Sequence, residues 1–331
     1  MIMLRWGILG TGFISNKMIE AVKASNGSTL HTIAGRQQQA LDQFQTAHGF
    51  VKQSLGYDDV MADPDVDAVY IGAPNHVHHT LALAAVAQGK PVLSEKSLTT
   101  TMAQANALVD GVTTAQTFFV EGLMYLAHPF LARFVDVLND GRLGDLKAIN
   151  GFYSADIWKV TNPAGRGTLY NLGCYPTSLM HLVVQTMCDE AVFGARRIHG
   201  TGNISEQDGT VVDAALSVRF DNGVLGTLQS TDSYGMAYGF SVSGAHGVLR
   251  FVTNPWLPIA GRNHIQWCPY NGEIEDIFVD DPHDAFYHQL KMVEAAIGAK
   301  ETQAARPSPR LRDSVEIMEF LTEWERQALS L

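Results

Sequence analysis

The chain of 331 residues is 46% apolar and 17% charged, a composition typical of a folded protein of about two domains. Its 34 acidic and 23 basic residues give a formal net charge of -11, which argues against the basic surface that nucleic acids and anionic membranes attract. No apolar run approaches the roughly 18 residues of a membrane span, and the N-terminus lacks the layout of a secretion signal. We therefore expect a cytoplasmic protein with a small-molecule partner, and neither nucleic acid nor membrane as a partner.

Short apolar runs in the first part of the chain predict β-strands, with helical patterns between them. The runs are Leu4–Leu9, Thr29–Ala34, Ala68–Gly72, Pro91–Ser94 and Thr117–Val120. Strands that alternate with helices form a parallel sheet covered by helices on both faces, joined by right-handed crossovers. We predict a doubly wound α/β domain of the Rossmann type over residues 1–122.

After residue 145 the pattern changes to successive strands with few helices between them. The predicted strands are Asp145–Ala155, Ala191–Gly202, Val211–Phe220, Val224–Ser230, Phe240–Ser243, Val248–Val252 and Ile274–Val279. Asp221-Asn222-Gly223 is typical of a tight hairpin turn, because Asn-Gly accepts positive φ angles. We predict a second, α+β domain over residues 123–331 on one large, mainly antiparallel sheet. Its final helix, over Pro309–Ala328, can pack back on the first domain.

A glycine-rich turn follows the first strand and opens the first helix, the position of a dinucleotide-binding turn. Gly10 permits the tight turn, and Gly12 permits close approach of the backbone to a pyrophosphate. The helix N-terminus supplies hydrogen-bond donors. Ser15 replaces the third glycine and is small enough to pack. The predicted cofactor contacts here are Gly10, Thr11, Gly12, Phe13 and Ile14.

The end of the second strand predicts the choice of cofactor. Chains that bind NAD carry an acidic residue about 20 positions after the glycines, which binds the ribose 2′-hydroxyl. Here the window Thr32–Arg36 contains no carboxylate. Arg36 can pair with a 2′-phosphate, and Gly35 leaves room for it. We predict NADP in preference to NAD.

A charged pair ends the apolar strand that begins after Gly89. Glu95 and Lys96 follow Val92-Leu93-Ser94 directly. Open α/β sheets bind ligands just beyond the carboxyl ends of their strands. We therefore expect Glu95 and Lys96 to face a cofactor or a substrate.

Four motifs in order make the chain similar to the Gfo/Idh/MocA oxidoreductases over nearly its whole length. They are Gly10–Gly12, Asp67–His78, Gly89–Lys96 and Gly173–Pro176. The last motif is similar to the branch of NADP-dependent sugar dehydrogenases and dimeric dihydrodiol dehydrogenases. The resemblance implies an enzyme that transfers a hydride between NADP(H) and a secondary alcohol or carbonyl of an unphosphorylated sugar, cyclitol or diol.

The resemblance also implies site residues and an oligomer. Lys96 and Tyr175 are the expected catalytic residues, and Lys96 is also expected to contact the cofactor. The further cofactor contacts that it implies are Pro74, Asn75, His78 and Glu95, the last on the nicotinamide ribose. It implies a homodimer or homotetramer, paired through the open face of the C-terminal sheet.

The chain departs from the family pattern at three positions. Ser97 stands where the family has proline after the lysine. Asn171 replaces an aspartate four residues before the tyrosine. Leu126 replaces an arginine in the motif that begins at Glu121.

Proton transfer accompanies hydride transfer from an alcohol, and Tyr175 and Lys96 are its candidates. Free tyrosine titrates near about 10, so a base poised near neutrality needs a pKa shift of about 3 units. A neighbouring ammonium favours the phenolate. We cast Tyr175 as the acid/base and Lys96 as the stabilising charge. An amide at position 171 cannot hold the proton on Lys96 as a carboxylate does. The alternative that Lys96 itself accepts the proton therefore stays open.

Asn171, Trp158 and Tyr125 are the candidate substrate contacts. Phe152 and Tyr153 can line a pocket or belong to the core, and Asp156 is a candidate for the missing carboxylate. His76, His78 and His79 resemble a metal-binding His-x-His, but no further ligands accompany them, so we predict no metal.

An alternative function is a non-catalytic regulator that senses NADP or a sugar and keeps the fold. The replacements at Asn171 and Leu126 favour it, whereas the presence of Lys96 and Tyr175 favours the enzyme.

Overall fold

The computed structural model describes residues 3–330, which form two compact units. The first contains the residues up to Met124 together with Phe286–Arg312. The second contains Tyr125–Ala285 and the residues from Asp313 onward. Within residues 3–330 no helix combines the length and the apolar character needed to cross a membrane.

The first unit is built on a parallel sheet, as the sequence predicts, but the sheet has six strands rather than the five predicted. Its strands are β1 (Leu4–Leu9), β2 (Ser28–Gly35), β3 (Lys52–Leu55), β4 (Ala68–Ile71), β5 (Val92–Glu95) and β6 (Phe119–Gly122). The order β3-β2-β1-β4-β5-β6 reverses between β1 and β4, where doubly wound sheets bind their ligands. Because all neighbours are parallel, every strand ends at the same edge of the sheet.

Helices connect these strands. They are α1 (Phe13–Ala24), α2 (Gln38–His48), α3 (Asp58–Ala62), α4 (His78–Ala87) and α5 (Met102–Ala115). Every residue of β4 and β5 is buried, which explains why these strands are almost continuously apolar rather than alternating. Ser94 and Glu95 are the polar residues at the carboxyl end of β5, and Glu95 is the charged one.

The second unit contains a mainly antiparallel sheet of eight strands. They are β7 (Leu146–Ala155), β8 (Arg196–Ile204), β9 (Val211–Phe220), β10 (Leu225–Thr231), β11 (Met236–Gly244), β12 (Gly247–Phe251), β13 (Gly261–Pro269) and β14 (Glu275–Asp281). Their order is β14-β13-β12-β11-β7-β10-β9-β8, and β7 with β10 is the parallel pair among these strands. The hairpin at Gly223 is confirmed, with φ +93° at that glycine.

Helices of the second unit pack on one face of this sheet. Helix α6 (Pro129–Asn139) contacts β13 and β14, and α7 (Cys174–Met187) contacts β7 and β10. Strand β9 alternates buried and exposed residues along most of its length, as expected for a sheet with one covered face. The prediction of a strand from Ala191 was wrong at its start, because residues 190–194 form turns and β8 begins at Arg196.

Two C-terminal helices belong to different units. Helix α8 (Ala285–Gly298) lies almost wholly in the first unit, where Ser25 and Ser28 each donate a 2.6 Å hydrogen bond to Glu294 Oε1. Helix α9 (Leu311–Ala328) lies almost wholly in the second unit, and its Glu316 Oε2 is 2.8 Å from His181 Nε2 on α7.

Candidate active site

The turn after β1 has the geometry of an anion-binding helix start. Gly10 has φ +119°, and a Cβ there would lie 2.7 Å from the carbonyl oxygen of Gly72 at the end of β4. Gly12 precedes α1, and a Cβ there would meet nothing within 4 Å. No acidic residue lies in the first turn of α1, and its N-cap residue, Gly12, has no side chain that could cap the free amides. The first backbone amides of α1, together with the space beside Gly12, fit a pyrophosphate.

Close packing explains why Ser15 in this turn, and two glycines that lie against the turn, are small. Ser15 is fully buried, and a Cβ at Gly72 would lie 2.6 Å from its Oγ. A Cβ at Gly35 would lie 3.2 Å from Thr11 Cγ2. Serine therefore fits at the position where the dinucleotide-binding pattern has its third glycine. The lack of a side chain at Gly35 avoids a close contact with Thr11.

The exposed side chain of Arg36 follows β2 directly. No carboxylate lies in residues 28–37. This edge of the sheet thus offers a cation where NAD-binding chains offer an acid.

His78 joins the loops that follow β4 and β5. It is buried at the start of α4, with Nε2 2.7 Å from the Ala73 oxygen and Nδ1 3.1 Å from the Ser97 oxygen. Burial lowers the pKa of His78 to about 4, and the two carbonyl contacts act against this shift. The ring is therefore neutral at pH 7. Half-buried Pro74 and Asn75 lie in the loop that it holds.

Glu95 and Lys96 stand at the carboxyl end of β5, as predicted. Glu95 is buried and accepts a 2.8 Å hydrogen bond from the Tyr70 hydroxyl. Burial raises its pKa to about 7, although the Tyr70 bond and the charge of Lys96 act in the opposite direction. Lys96 is half-buried, and its peptide bond to Ser97 is cis. The backbone N–H of Leu98 donates a 2.7 Å bond to Glu121 Oε1, which fixes the loop after Lys96 to β6.

Tyr175 lies in the second unit, in the first turn of α7. A π-helical turn, Leu169–Gly173, runs directly into this helix. The Tyr175 ring is buried against Tyr153, Tyr125 and Trp256, with ring centroids 5.3, 5.8 and 6.2 Å away. Burial raises the pKa of Tyr153 to about 12, so that phenol stays protonated.

Tyr125 is fully buried beneath the start of α7. Its hydroxyl donates to the Tyr175 carbonyl oxygen at 3.1 Å and lies 2.7 Å from Ser178 Oγ. Tyr125 thus fixes the backbone of Tyr175. Leu126, at the expected position of arginine, is buried.

Sequence reasoning missed Asp232, which lies directly after β10. Its Oδ2 accepts a 3.0 Å hydrogen bond from Asn171 Nδ2, and its backbone oxygen accepts one of 2.7 Å from the Trp158 N–H. Asp232 is fully buried, whereas Asp156, the carboxylate suggested by the sequence, is exposed. Burial raises the pKa of Asp232 to about 6, while the bond from Asn171 acts to lower it. A carboxylate directly after a strand was the available signal, but Asn171 is 61 positions away.

Comparisons with known proteins agree with this architecture. A profile of the oxidoreductase family with an NAD-binding Rossmann fold matches residues 4–122, and one of the GFO/IDH/MocA C-terminal domain matches residues 132–250. The chain is 31% identical over 245 residues to an uncharacterized oxidoreductase of Rhizobium meliloti, covering 69% of this chain and 73% of that protein. It is 26% identical over 262 residues to trans-1,2-dihydrobenzene-1,2-diol dehydrogenase of Xenopus tropicalis, covering 77% of each.

A solved structure shares the whole fold. KijD10, a 3-ketoreductase from Actinomadura kijaniata in complex with TDP-benzene and NADP, superposes with a TM-score of 0.84 at 21% identity, covering 98% of both chains. Together with the matched residue ranges, these likenesses show that the chain belongs to the Gfo/Idh/MocA family of oxidoreductases.

Proposed function

We propose that the protein transfers a hydride between NADP(H) and a secondary alcohol, or the matching carbonyl, of an unphosphorylated sugar, cyclitol or diol. The observation that carries this proposal is the edge of the parallel sheet in the first unit. There the open start of α1 at Gly12 lies at the same edge as the loops that carry His78 and the Glu95-Lys96 pair.

NADP supplies the acceptor or donor of the hydride when it is bound. Residues Gly10–Ile14 would hold its pyrophosphate, and Arg36 its 2′-phosphate. Pro74, Asn75, His78, Glu95 and Lys96 would hold the nicotinamide half. The absence of a carboxylate in residues 28–37 supports NADP over NAD, as does the NADP in the related 3-ketoreductase.

We assign the proton transfer to Tyr175, whose Oη would take the proton of the substrate hydroxyl. Lys96 Nζ would stabilise the negative charge that develops on the substrate oxygen. The alternative, in which Lys96 takes the proton, predicts that Tyr175→Phe keeps most of its turnover whereas Lys96→Ala does not.

The substrate class rests on the second unit and on a relative. The diol of the Xenopus tropicalis dehydrogenase carries two adjacent secondary hydroxyls, an arrangement that sugars and cyclitols share. The buried carboxyl of Asp232 lies beside Asn171, where its negative charge would repel a phosphorylated substrate.

The first experiment is a turnover assay on the whole protein. NADP or NAD is mixed with trans-1,2-dihydrobenzene-1,2-diol, D-glucose, D-galactose or myo-inositol, and reduction is followed by absorbance. We expect turnover, with NADP preferred at least about tenfold, since a charge-assisted bond contributes about 1.5–3 kcal/mol. Binding of NADPH without turnover on this panel would contradict the proposal and favour the ligand-sensing regulator.

We also propose a homodimer or homotetramer that pairs through the open face of the eight-stranded sheet. Phe152 on β7 and Leu225 on β10 point to the same face by their register, and 40% and 53% of their surfaces are exposed. Light scattering of the wild type should give a molar mass that is a multiple of the 36.1 kDa chain mass. Phe152→Glu should lower this molar mass. A monomer at micromolar concentration would overturn this assembly.

A further inference from the structure

The hydrogen bond between Asn171 and Asp232 belongs to a junction that fixes the π-helical turn to the end of β10. Beside it, Thr168 Oγ1 and Ser230 Oγ lie 2.8 Å apart, and Ser230 Oγ also donates to the Thr168 carbonyl oxygen at 3.2 Å. A Cβ at Gly173 would lie 3.4 Å from Ser230 Oγ, so the turn runs close to the strand. The position of Asn171 relative to Asp232 is therefore set by the backbones of both segments.

The chemistry of the pair fixes which way the amide faces. An ionised carboxylate only accepts hydrogen bonds, so the amide must turn its NH₂ group toward Asp232 Oδ2. The amide oxygen, Oδ1, then faces away from the carboxylate. Without a charged partner the two ends of an asparagine amide have nearly the same shape, and either can face the same neighbour.

Asn171 lies four positions before Tyr175. Residues at this spacing lie on the same face of a helix. The oriented amide oxygen is consequently presented on the helical face that carries the proposed acid/base.

The state of Asp232 is unusual for a purely structural link. Its side chain is fully buried, and its Oδ1 has no hydrogen-bond partner among the residues that the structure describes. A buried acceptor without a partner destabilises the folded state. A neutral asparagine or threonine at this position could join the same segments without a buried charge. Only the carboxylate is purely an acceptor, so only the carboxylate determines which end of the Asn171 amide faces it.

We propose that Asp232 is a positioning residue that holds the Asn171 amide so that its oxygen accepts a hydrogen bond from a hydroxyl group of the polyol substrate. This inference rests on the proposed function and deepens it. An aspartate at position 171 would supply both a hydrogen-bond acceptor and a negative charge. In this chain two residues supply them. Asn171 provides the acceptor at the substrate, and Asp232 provides the negative charge behind it.

A carboxylate exchange tests this proposal with NADP and trans-1,2-dihydrobenzene-1,2-diol as probes. Asp232→Asn and Asn171→Ala should each raise KM about tenfold, with kcat within about threefold, because a bond to a substrate hydroxyl is lost from both the ground and the transition state. The double exchange Asn171→Asp with Asp232→Asn should return KM to within about threefold of the wild type, because it restores an acceptor at position 171 and a donor behind it. A role in folding alone predicts instead that the single variants are less stable but keep the wild-type KM once folded.

Asp213→Asn is the matched control, because Asp213 accepts a 2.9 Å bond from Asn203 in an exposed pair of the same chemistry. Its KM should stay at the wild-type value. The proposal is overturned if Asp232→Asn keeps the wild-type KM, or if the double exchange recovers nothing. Should Asp232→Asn fail to fold, the double exchange and Asn171→Ala still decide the matter.

A measurement without substrate separates this inference from the proposed function. In protein labelled with ¹⁵N-asparagine, the Asn171 side-chain NH₂ signal is assigned by its loss in Asn171→Ala. We expect its protons to exchange with solvent at least about tenfold more slowly than those of exposed Asn222, because they are bonded to a buried acceptor. Exchange as fast as that of Asn222 would overturn the orientation of the amide, whether or not the protein turns over the diol.

Discussion

The Tyr70 hydroxyl donates a 2.8 Å hydrogen bond to Glu95 Oε1 between two neighbouring parallel strands. Both side chains are buried, and Glu95 directly precedes Lys96. The bond stabilises the ionised carboxylate, but burial outweighs it and leaves the pKa of Glu95 at about 7. Glu95 therefore changes its charge near neutral pH.

This shift predicts how stability depends on pH. The pKa of the Glu95 carboxyl rises from 4.5 to about 7 on folding, so the folded state loses stability as pH increases through this window. The total loss is roughly 3 kcal/mol, since each pKa unit corresponds to about 1.4 kcal/mol. Glu95→Gln should match the wild type near pH 4.5 and be more stable at pH 8 in urea unfolding. Exposed Glu206→Gln is the control, and equal stability of Glu95→Gln and wild type at pH 8 would argue against a buried, raised carboxyl.

Two glycines of the first turn should respond differently to the same added methyl group. Gly10→Ala places a Cβ 2.7 Å from the Gly72 oxygen at φ +119°, so it should lower the free energy of unfolding by about 1–3 kcal/mol. Gly12→Ala meets no atom within 4 Å and should leave stability nearly unchanged, while weakening NADPH binding at least about tenfold because the methyl occupies the space of the pyrophosphate. Thermal unfolding and NADPH fluorescence measure the two effects. Tight NADPH binding by Gly12→Ala would place the cofactor elsewhere.

Arg36 should determine the preference for the phosphorylated cofactor. Arg36→Ala removes charge-assisted bonds worth about 1.5–3 kcal/mol, so NADPH binding should weaken by about tenfold to a hundredfold, with NADH affinity unchanged. Fluorescence titration with both cofactors checks this, and exposed Arg219→Ala controls for the loss of a positive charge. Parallel weakening of both cofactors would show that Arg36 does not read the 2′-phosphate.

Tyr125 should support the second unit through its hydroxyl. Tyr125→Phe removes buried bonds to the Tyr175 oxygen and to Ser178, and we expect a loss of about 1 kcal/mol in the free energy of unfolding. The half-exposed phenol of Tyr234 is the comparison, since Tyr234→Phe should cost less. If the two variants were equally stable, the hydroxyl of Tyr125 would not fix the start of α7.

Sequence patterns predicted the elements whose burial is regular. β1 and β9 were predicted at the observed bounds Leu4–Leu9 and Val211–Phe220, because β1 has no charged residue except Arg5 and β9 alternates. β3 was missed because Lys52–Leu55 is a short, polar edge strand. β13 (Gly261–Pro269) was missed because its buried positions include Asn263, which does not read as apolar.

Local motifs also predicted more of the first unit's candidate site than of the second's. The Gly10–Gly12 turn and the Glu95-Lys96 pair are each contiguous in sequence, so their surroundings follow from strand and helix order. The contact of Asn171 with Asp232 depends instead on β10 lying beside the π-helical turn. Sequence spacing carries no information on such a tertiary pairing.

The most direct test is hydride transfer by Lys96→Ala. The rate of NADP reduction is measured with trans-1,2-dihydrobenzene-1,2-diol at saturating NADP, beside wild type and the surface variant Lys17→Ala. We predict that kcat/KM of Lys96→Ala falls at least about a hundredfold, since positioned acid/base and charge-stabilising groups contribute about 10² or more, while its thermal unfolding stays that of the wild type. Wild-type turnover by a folded Lys96→Ala would contradict the proposed active site.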